Sequence, residues 1–319
     1  TDEVGEDHTS TQLTLKAGGY VPKDISVDPT IACDHARYAC STIKKRFDRF
    51  YCEYDSEMDD GFHKRQYIIT HVNDAVKNGY IKVYYQPVVL AEDRSLCGVE
   101  ALARWNDPNY GFLSPGDFIP ALEEYRLIQR LDRAILEQVC KDLQAAISTG
   151  KKIVPVSVNF SRLDFEMTDV KEMIRDLTER YNVPADHIHV EITESALTVN
   201  DENLKDTVAL IKNMGIQLWL DDFGSGYSSL NVLKDYTFDV MKIDMVFLRR
   251  FKENEKKSKS ILNSIVTMAN LIDMETLSEG VETEEQAEFL KEIGCKRLQG
   301  YLFGKPMPIE ELSEKFCCF

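Results

Sequence analysis

Leu218-Trp219-Leu220-Asp221-Asp222-Phe223-Gly224-Ser225-Gly226-Tyr227-Ser228-Ser229-Leu230 is the stretch that decides the fold. Its first residues read as a short buried strand. Two adjacent carboxylates stand where that strand ends, and Gly224 and Gly226 then permit a tight turn. Adjacent carboxylates repel, each raising the pKa of the other, so the pair stays ionised most readily with cations between its members. A solvated strand-to-loop junction would use the same residues, and the rest of the chain has to separate the two readings.

Working outward, the same pattern recurs. Short apolar runs occupy Ile81–Val89, Cys97–Leu102, Ile153–Asn159, His187–Glu191, Gln217–Asp222, Phe238–Lys242, Met274–Glu279 and Lys296–Gln299. Between them, 3.6-residue periodicity predicts helices over Gln129–Ile147, Met167–Tyr181, Asp201–Met214, Lys256–Ile272 and Glu284–Ile293. Strands alternating with helices call for a parallel sheet, and eight such units over roughly 250 residues have the rhythm of an α/β (β/α)₈ TIM-type barrel.

Polar residues fall at the ends of these runs: Glu100, Asn159, Glu191, Asp221-Asp222, Lys242, Glu279 and Gln299. In a barrel such ends converge on one face. One strand-terminal carboxylate is unremarkable, but five converging without cations would cost on the order of several kcal/mol. The set offers oxygen and neither Cys nor His, which selects Mg²⁺ or Mn²⁺ over zinc or copper. Two ions sharing a carboxylate form a clamp for displacement at phosphorus, and Lys242 adds a cation for phosphate or for orienting water. Asp222-Phe223-Gly224 also matches the metal turn of protein kinases, but no Gly-rich loop or His-Arg-Asp segment accompanies it.

The bulk numbers agree. The chain has 319 residues, 43% apolar and 29% charged, enough for one large domain and a fragment. A formal charge of -16 argues against a nucleic-acid polymer or an anionic membrane surface as partner. Eight cysteines without Cys-x-x-Cys pairs fit reduced thiols and a cytoplasmic location, or the cytoplasmic portion of a larger protein. No apolar run approaches the roughly 18 residues of a membrane span. The chain starts at Thr1 rather than Met, and is expected to be a piece of a longer protein.

Three segments are expected: a short α/β fragment over 1–50, a linker over 51–65 and the barrel over 66–319. In the first, Thr11–Ala17 alternates as a strand that Gly18-Gly19 would close, and Asp28-Pro29 opens a helix running to Phe50. The acidic run Glu53–Gly61 reads as linker. Ala32-Cys33-Asp34-His35-Ala36-Arg37-Tyr38-Ala39 resembles the last helix of GGDEF domains, without that family's signature loop, so it implies no cyclase activity.

Across the barrel, Glu100-Ala101-Leu102, Ala103-Arg104-Trp105, Asn159, Glu191-Ile192-Thr193-Glu194, Asp221-Asp222-Phe223-Gly224, Lys242-Ile243-Asp244, Glu279-Gly280-Val281-Glu282-Thr283 and Gln299-Gly300-Tyr301 resemble the EAL-domain cyclic-di-GMP phosphodiesterases in order and spacing. The resemblance implies a barrel whose first strand is antiparallel and a homodimer. It also implies two Mg²⁺ or Mn²⁺ ions and hydrolysis of cyclic di-GMP to linear 5′-pGpG; Ca²⁺ is expected to inhibit, because its longer, looser coordination places the water poorly. It assigns Glu100, Asn159, Glu191 and Asp221 to one ion and Asp221, Asp222 and Glu279 to the other. Lys242 would assist the water and Gln86 and Arg104 would contact substrate. Gln299 would bind substrate too, and Glu282, grouped with Lys242, Glu100 and Asp221 as catalytic, would complete the pocket. Glu194 would brace the loop after Asp222, where Ser225 replaces a more usual Thr. Two alternatives stay open: a catalytically silent cyclic-di-GMP receptor, and another metal-dependent barrel enzyme such as an enolase-type lyase.

Overall fold

Eight strands close into a ring: β1 Ile81–Leu90, β2 Leu96–Asp107, β3 Val156–Phe160, β4 Ile188–Thr193, β5 Gln217–Phe223, β6 Val240–Ile243, β7 Glu275–Ser278 and β8 Arg297–Gln299. The computed structural model describes residues 15–24, 26–44, 46, 48–197, 202–224, 230–249 and 255–319. From β2 round to β8 each strand is parallel to the next, while β1 is antiparallel to both β2 and β8. The expected antiparallel first strand is therefore present. Its cause is the connection 91–95, where Asp93 accepts from the Ser95 N–H and hydroxyl. That hairpin is far shorter than the dozen or so residues a parallel crossover needs.

The parallel strands are covered on both faces and read as unbroken apolar runs; every residue of β6, Lys242 included, is buried. Helix Ile128–Ser148 buries Leu131, Ile135, Val139 and Leu143, a stripe at helical spacing. Four further helices, Val170–Arg180, Glu202–Asn213, Glu255–Leu271 and Glu284–Glu292, lie where periodicity places them. One end of the barrel interior is filled by Val88, Trp219, Val240 and Leu277, with the Arg297 guanidinium 5.3 Å over the Trp219 ring.

Shorter elements that periodicity does not announce also appear. They are a strand Gly111–Leu113 paired to β2, helices Pro115–Glu124 and Ile309–Phe316, and the one- to two-turn helices Arg162–Met167, Leu230–Asp235 and Val246–Arg249.

The chain divides into units 1–70 and 71–319. In the first, parallel strands Ala17–Gly19 and Tyr51–Glu53 flank helix Pro29–Thr42, and Ala39, Ile43, Cys52, Tyr54 and Phe62 form its core. Three expectations change here. The helix stops at Thr42 rather than Phe50. Gly18 lies inside the strand, paired with Cys52, instead of closing it, and glycine is needed there because any Cβ would fall 1.9 Å from the Ala36 carbonyl oxygen. The supposed acidic linker is ordered: Asp55 caps the turn Ser56–Met58, and Asp59 and Asp60 open a helix that runs to Lys77. Of the expected strand Thr11–Ala17, residues 11–14 lie outside the described residues. Among the described residues no helix is long and apolar enough to cross a membrane. All eight cysteines are free.

Candidate metal centre

Successive residues of a strand point to opposite faces, so Asp221 and Asp222 should diverge. They do not. A register shift interrupts the pairing of β5 with β6 between Leu220 and Phe223, and Asp222 takes a left-handed φ of +57°. This turns the second carboxylate back toward the first, and oxygens of Asp221, Asp222 and Glu279 all lie within 4.8 Å of one another.

The Lys242 side chain, 1% exposed, runs into the same centre. Its Nζ lies 2.5 Å from Glu191 Oε2, 2.8 Å from Glu279 Oε1, 3.0 Å from Asp221 Oδ1 and 3.5 Å from Glu100 Oε1. On the far side of Glu100, Asn159 Nδ2 donates to Oε1 at 2.9 Å and Gln299 Nε2 to Oε2 at 2.6 Å. Gln299 also reaches Gln86 Oε1 at 3.1 Å, and Gln86 stands directly opposite Glu100 in the β1–β2 register. Asn159 and Glu191 are level in the β3–β4 pair. The strand ends thus bring together Gln86, Glu100, Asn159, Glu191, Asp221, Asp222, Lys242, Glu279 and Gln299.

Burial dominates the electrostatics. It works against the Lys242 charge, but Asp221, Glu100, Glu191 and Glu279 outweigh it and hold the ammonium well above its usual range. Burial likewise pushes Glu100 up, and here the Lys242 charge with the Gln299 and Asn159 donors prevails, leaving its pKa low. Burial, then the charge of Glu100, drive Glu191 well up. Burial, reinforced by Asp221 and Asp244, lifts Asp222 to about 6, and burial also takes Glu279 to about 7.

Five carboxylates face one ammonium, so full ionisation leaves four negative charges, the charge two divalent cations supply. Glu191 Oε1 and Gln299 Oε1 are buried acceptors without a hydrogen-bond partner among the described residues. Unspent oxygen acceptors within an all-oxygen set fit hard divalent cations.

The remaining expected residues sit further out. Arg104 is half-buried at the edge, 5.8 Å over the Tyr84 ring and donating to the Ala103 carbonyl. Glu282 is exposed on a cavity wall, outside the group that Lys242 contacts. Glu194 is buried in the turn Glu194–Leu197, which packs against β4 and β5. The segment 225–229 it would brace lies outside the described residues. Asp244, beside Asp222, was not singled out from the sequence, although it ends the quoted Lys242-Ile243-Asp244 run. Thr283, Gln286 and Tyr301, also unassigned, line the same cavity as Glu282.

Two cavities meet at the centre. One of about 850 Å³ runs past Gln86, Glu282 and Tyr301, and one of about 610 Å³ past Arg104, Pro115 and Glu123; Asp221 and Leu102 line both.

Residues 70–306 match the model of the EAL domain. This chain belongs to the EAL-domain family. The oxygen sensor protein DosP of Escherichia coli is 32% identical over 300 residues, 94% of this chain and 37% of DosP. PdeR of E. coli, a cyclic di-GMP phosphodiesterase, is 33% identical over 283 residues, 88% of this chain and 42% of PdeR. The EAL chain thus spans well under half the length of these relatives. The solved Pseudomonas aeruginosa MucR phosphodiesterase in its c-di-GMP complex superposes with a TM-score of 0.71 at 33% identity, covering 77% of this chain and 99% of that one.

Proposed function

We propose that this EAL domain hydrolyses one phosphodiester of cyclic di-GMP to give linear 5′-pGpG. The observation that carries the proposal is the carboxylate cluster at the junction of two cavities, which suits a substrate with two nucleosides and a phosphate between them. The similarity to PdeR and to the MucR complex supports the same substrate.

Glu100, Asn159, Glu191 and Asp221 would hold one Mg²⁺ or Mn²⁺, and Asp221, Asp222 and Glu279 the second. Ions held by these residues would supply Lewis-acid polarisation of the phosphoryl oxygens and a water nucleophilic at neutral pH. The chain's own groups do the rest. Lys242, fixed by four carboxylates, is a cation aimed at the reacting centre. Gln299 bridges Gln86 and Glu100, locking the β1–β2 side of the site. Gln86, Arg104 and Gln299 would bind substrate, Glu282 would complete the larger cavity, and Glu194 would brace the loop after Asp222.

The segment before the barrel is proposed as the end of a GGDEF-type domain, on the likeness of Ala32–Ala39 to that family's last helix. A homodimer through the barrel and a cytoplasmic setting complete the reading. Incubation with cyclic di-GMP and Mg²⁺ should release pGpG, Ca²⁺ should suppress turnover, and Glu100→Ala or Asp221→Ala should abolish it without unfolding the chain. Tight binding with no product would instead favour a silent receptor.

A further inference from the structure

The chain after β6 lies across the ends of β5 and β7, where the carboxylates proposed for the second cation stand. Gly224 follows Asp222 by two residues and Gly280 follows Glu279 directly. A Cβ at Gly224 would stand 2.4 Å from Cε2 and Cζ of Phe247, so the ring rests on that backbone. A Cβ at Gly280 would stand 2.3 Å from the Met245 Cβ. Both glycines have left-handed φ, +92° and +68°, so a side chain at either position would be strained as well as crowded.

The segment is itself tied down. Val246 N–H donates to Asp244 Oδ1 at 2.6 Å, Glu279 N–H to the Ile243 carbonyl at 3.0 Å, and Phe247 packs on the buried cluster containing Ile243, Leu248 and Val281.

Strands β5 and β7 are not neighbours; β6 stands between them. The distance from Asp222 to Glu279 is therefore set through β6 and through whatever spans both strand ends beyond it. Met245 and Phe247 span both.

We propose that Phe247, with the Met245 Cβ as its counterpart on Gly280, is a positioning residue that fixes the spacing of Asp221, Asp222 and Glu279 for the second divalent cation. This rests on the two-cation reading above, and the test separates the two. Mn²⁺ titration followed by the free-ion EPR signal is run on wild type, Phe247→Ala and Phe247→Leu, with circular-dichroism melting of each. The wild type should bind two Mn²⁺. Phe247→Ala should bind the weaker ion about tenfold less tightly while keeping the other, the scale seen when groups that orient metal ligands are removed. Phe247→Leu, which still fills much of the space over Gly224, should recover most of that loss and carries the test should Phe247→Ala not fold. A wild type that binds no Mn²⁺ overturns the cation reading and this inference together. Two tight Mn²⁺ in both variants, with only the melting temperature lowered, overturns this inference alone and leaves Phe247 a packing residue.

Discussion

Asp222 joins ligand chemistry to backbone strain in one residue. A non-glycine residue at φ +57° is tolerable for Asp or Asn, whose short polar side chains suit the left-handed region, and is costly for a β-branched one. Asp222→Asn should therefore leave the fold almost unchanged while removing one charge from the cluster, and turnover of cyclic di-GMP should fall about a hundredfold or more. Asp222→Val should lose turnover and also about 1–3 kcal/mol of stability, because the strain now falls on a branched Cβ. Urea unfolding of both variants beside steady-state kinetics tells the two effects apart. Equal stability in Asn and Val variants would show that the bulge does not depend on the residue it turns. The sequence displayed the adjacent carboxylates and the need for cations between them. It did not display the left-handed turn that lets both reach one centre, since that depends on the register of β5 against β6.

At the scale of elements, the same limit explains what was readable. Long helices and buried strands announce themselves by period, so Ile128–Ser148 and the eight runs of the barrel were found, with the polar end of each strand marking the site. Short helices such as Arg162–Met167 and Val246–Arg249 carry too few turns to show a period, yet they stand beside the centre. The acidic run before the barrel misled for a related reason: Asp55, Asp59 and Asp60 serve turn and helix starts, and their charge resembles that of a solvated linker. One pairing of helices has a pH consequence. Asp132 of Ile128–Ser148 and Asp164 of Arg162–Met167 are both buried and face each other, with Glu123 nearby. Burial first, then the Asp164 charge, drive the Asp132 pKa well above 3.8. The folded chain thus binds a proton that the unfolded chain releases near pH 3.8, so this contribution is fully present below that pH and fades as pH rises through the folded-state pKa. Asp132→Asn keeps the shape, stays neutral and can donate to Asp164 Oδ1, which has no donor among the described residues. It should stabilise the protein by on the order of 1–3 kcal/mol at pH 8 and by less at pH 5. Urea titrations at the two pH values decide it, and an equal effect at both would show that no shared proton is involved.

For the barrel as a whole, the centre is a point of convergence for every strand: β1 supplies Gln86, β2 Glu100, β3 Asn159, β4 Glu191, β5 both aspartates and β6 Lys242. Glu279 stands just beyond β7, and β8 ends on Gln299. Mutual repulsion of the carboxylates therefore pushes on the entire ring, with Lys242 as the ammonium they share. Cations that bind the folded cluster, and find no such arrangement in the unfolded chain, should stabilise the barrel by mass action. The gain is about 2.7 kcal/mol at a hundred times the dissociation constant. For a domain of this size that corresponds to a rise of roughly 5–10 °C in Tm. Calorimetry with rising Mg²⁺ should show Tm climbing with the logarithm of concentration and returning on addition of EDTA. Replacing two carboxylates, in Asp221→Asn/Glu279→Gln, should raise Tm in EDTA, because repulsion falls, and flatten the Mg²⁺ dependence, because ligands are lost. A Tm indifferent to Mg²⁺ in the wild type would mean that the barrel balances its charges by protonation, with Glu191, Asp222 and Glu279 taking up the protons.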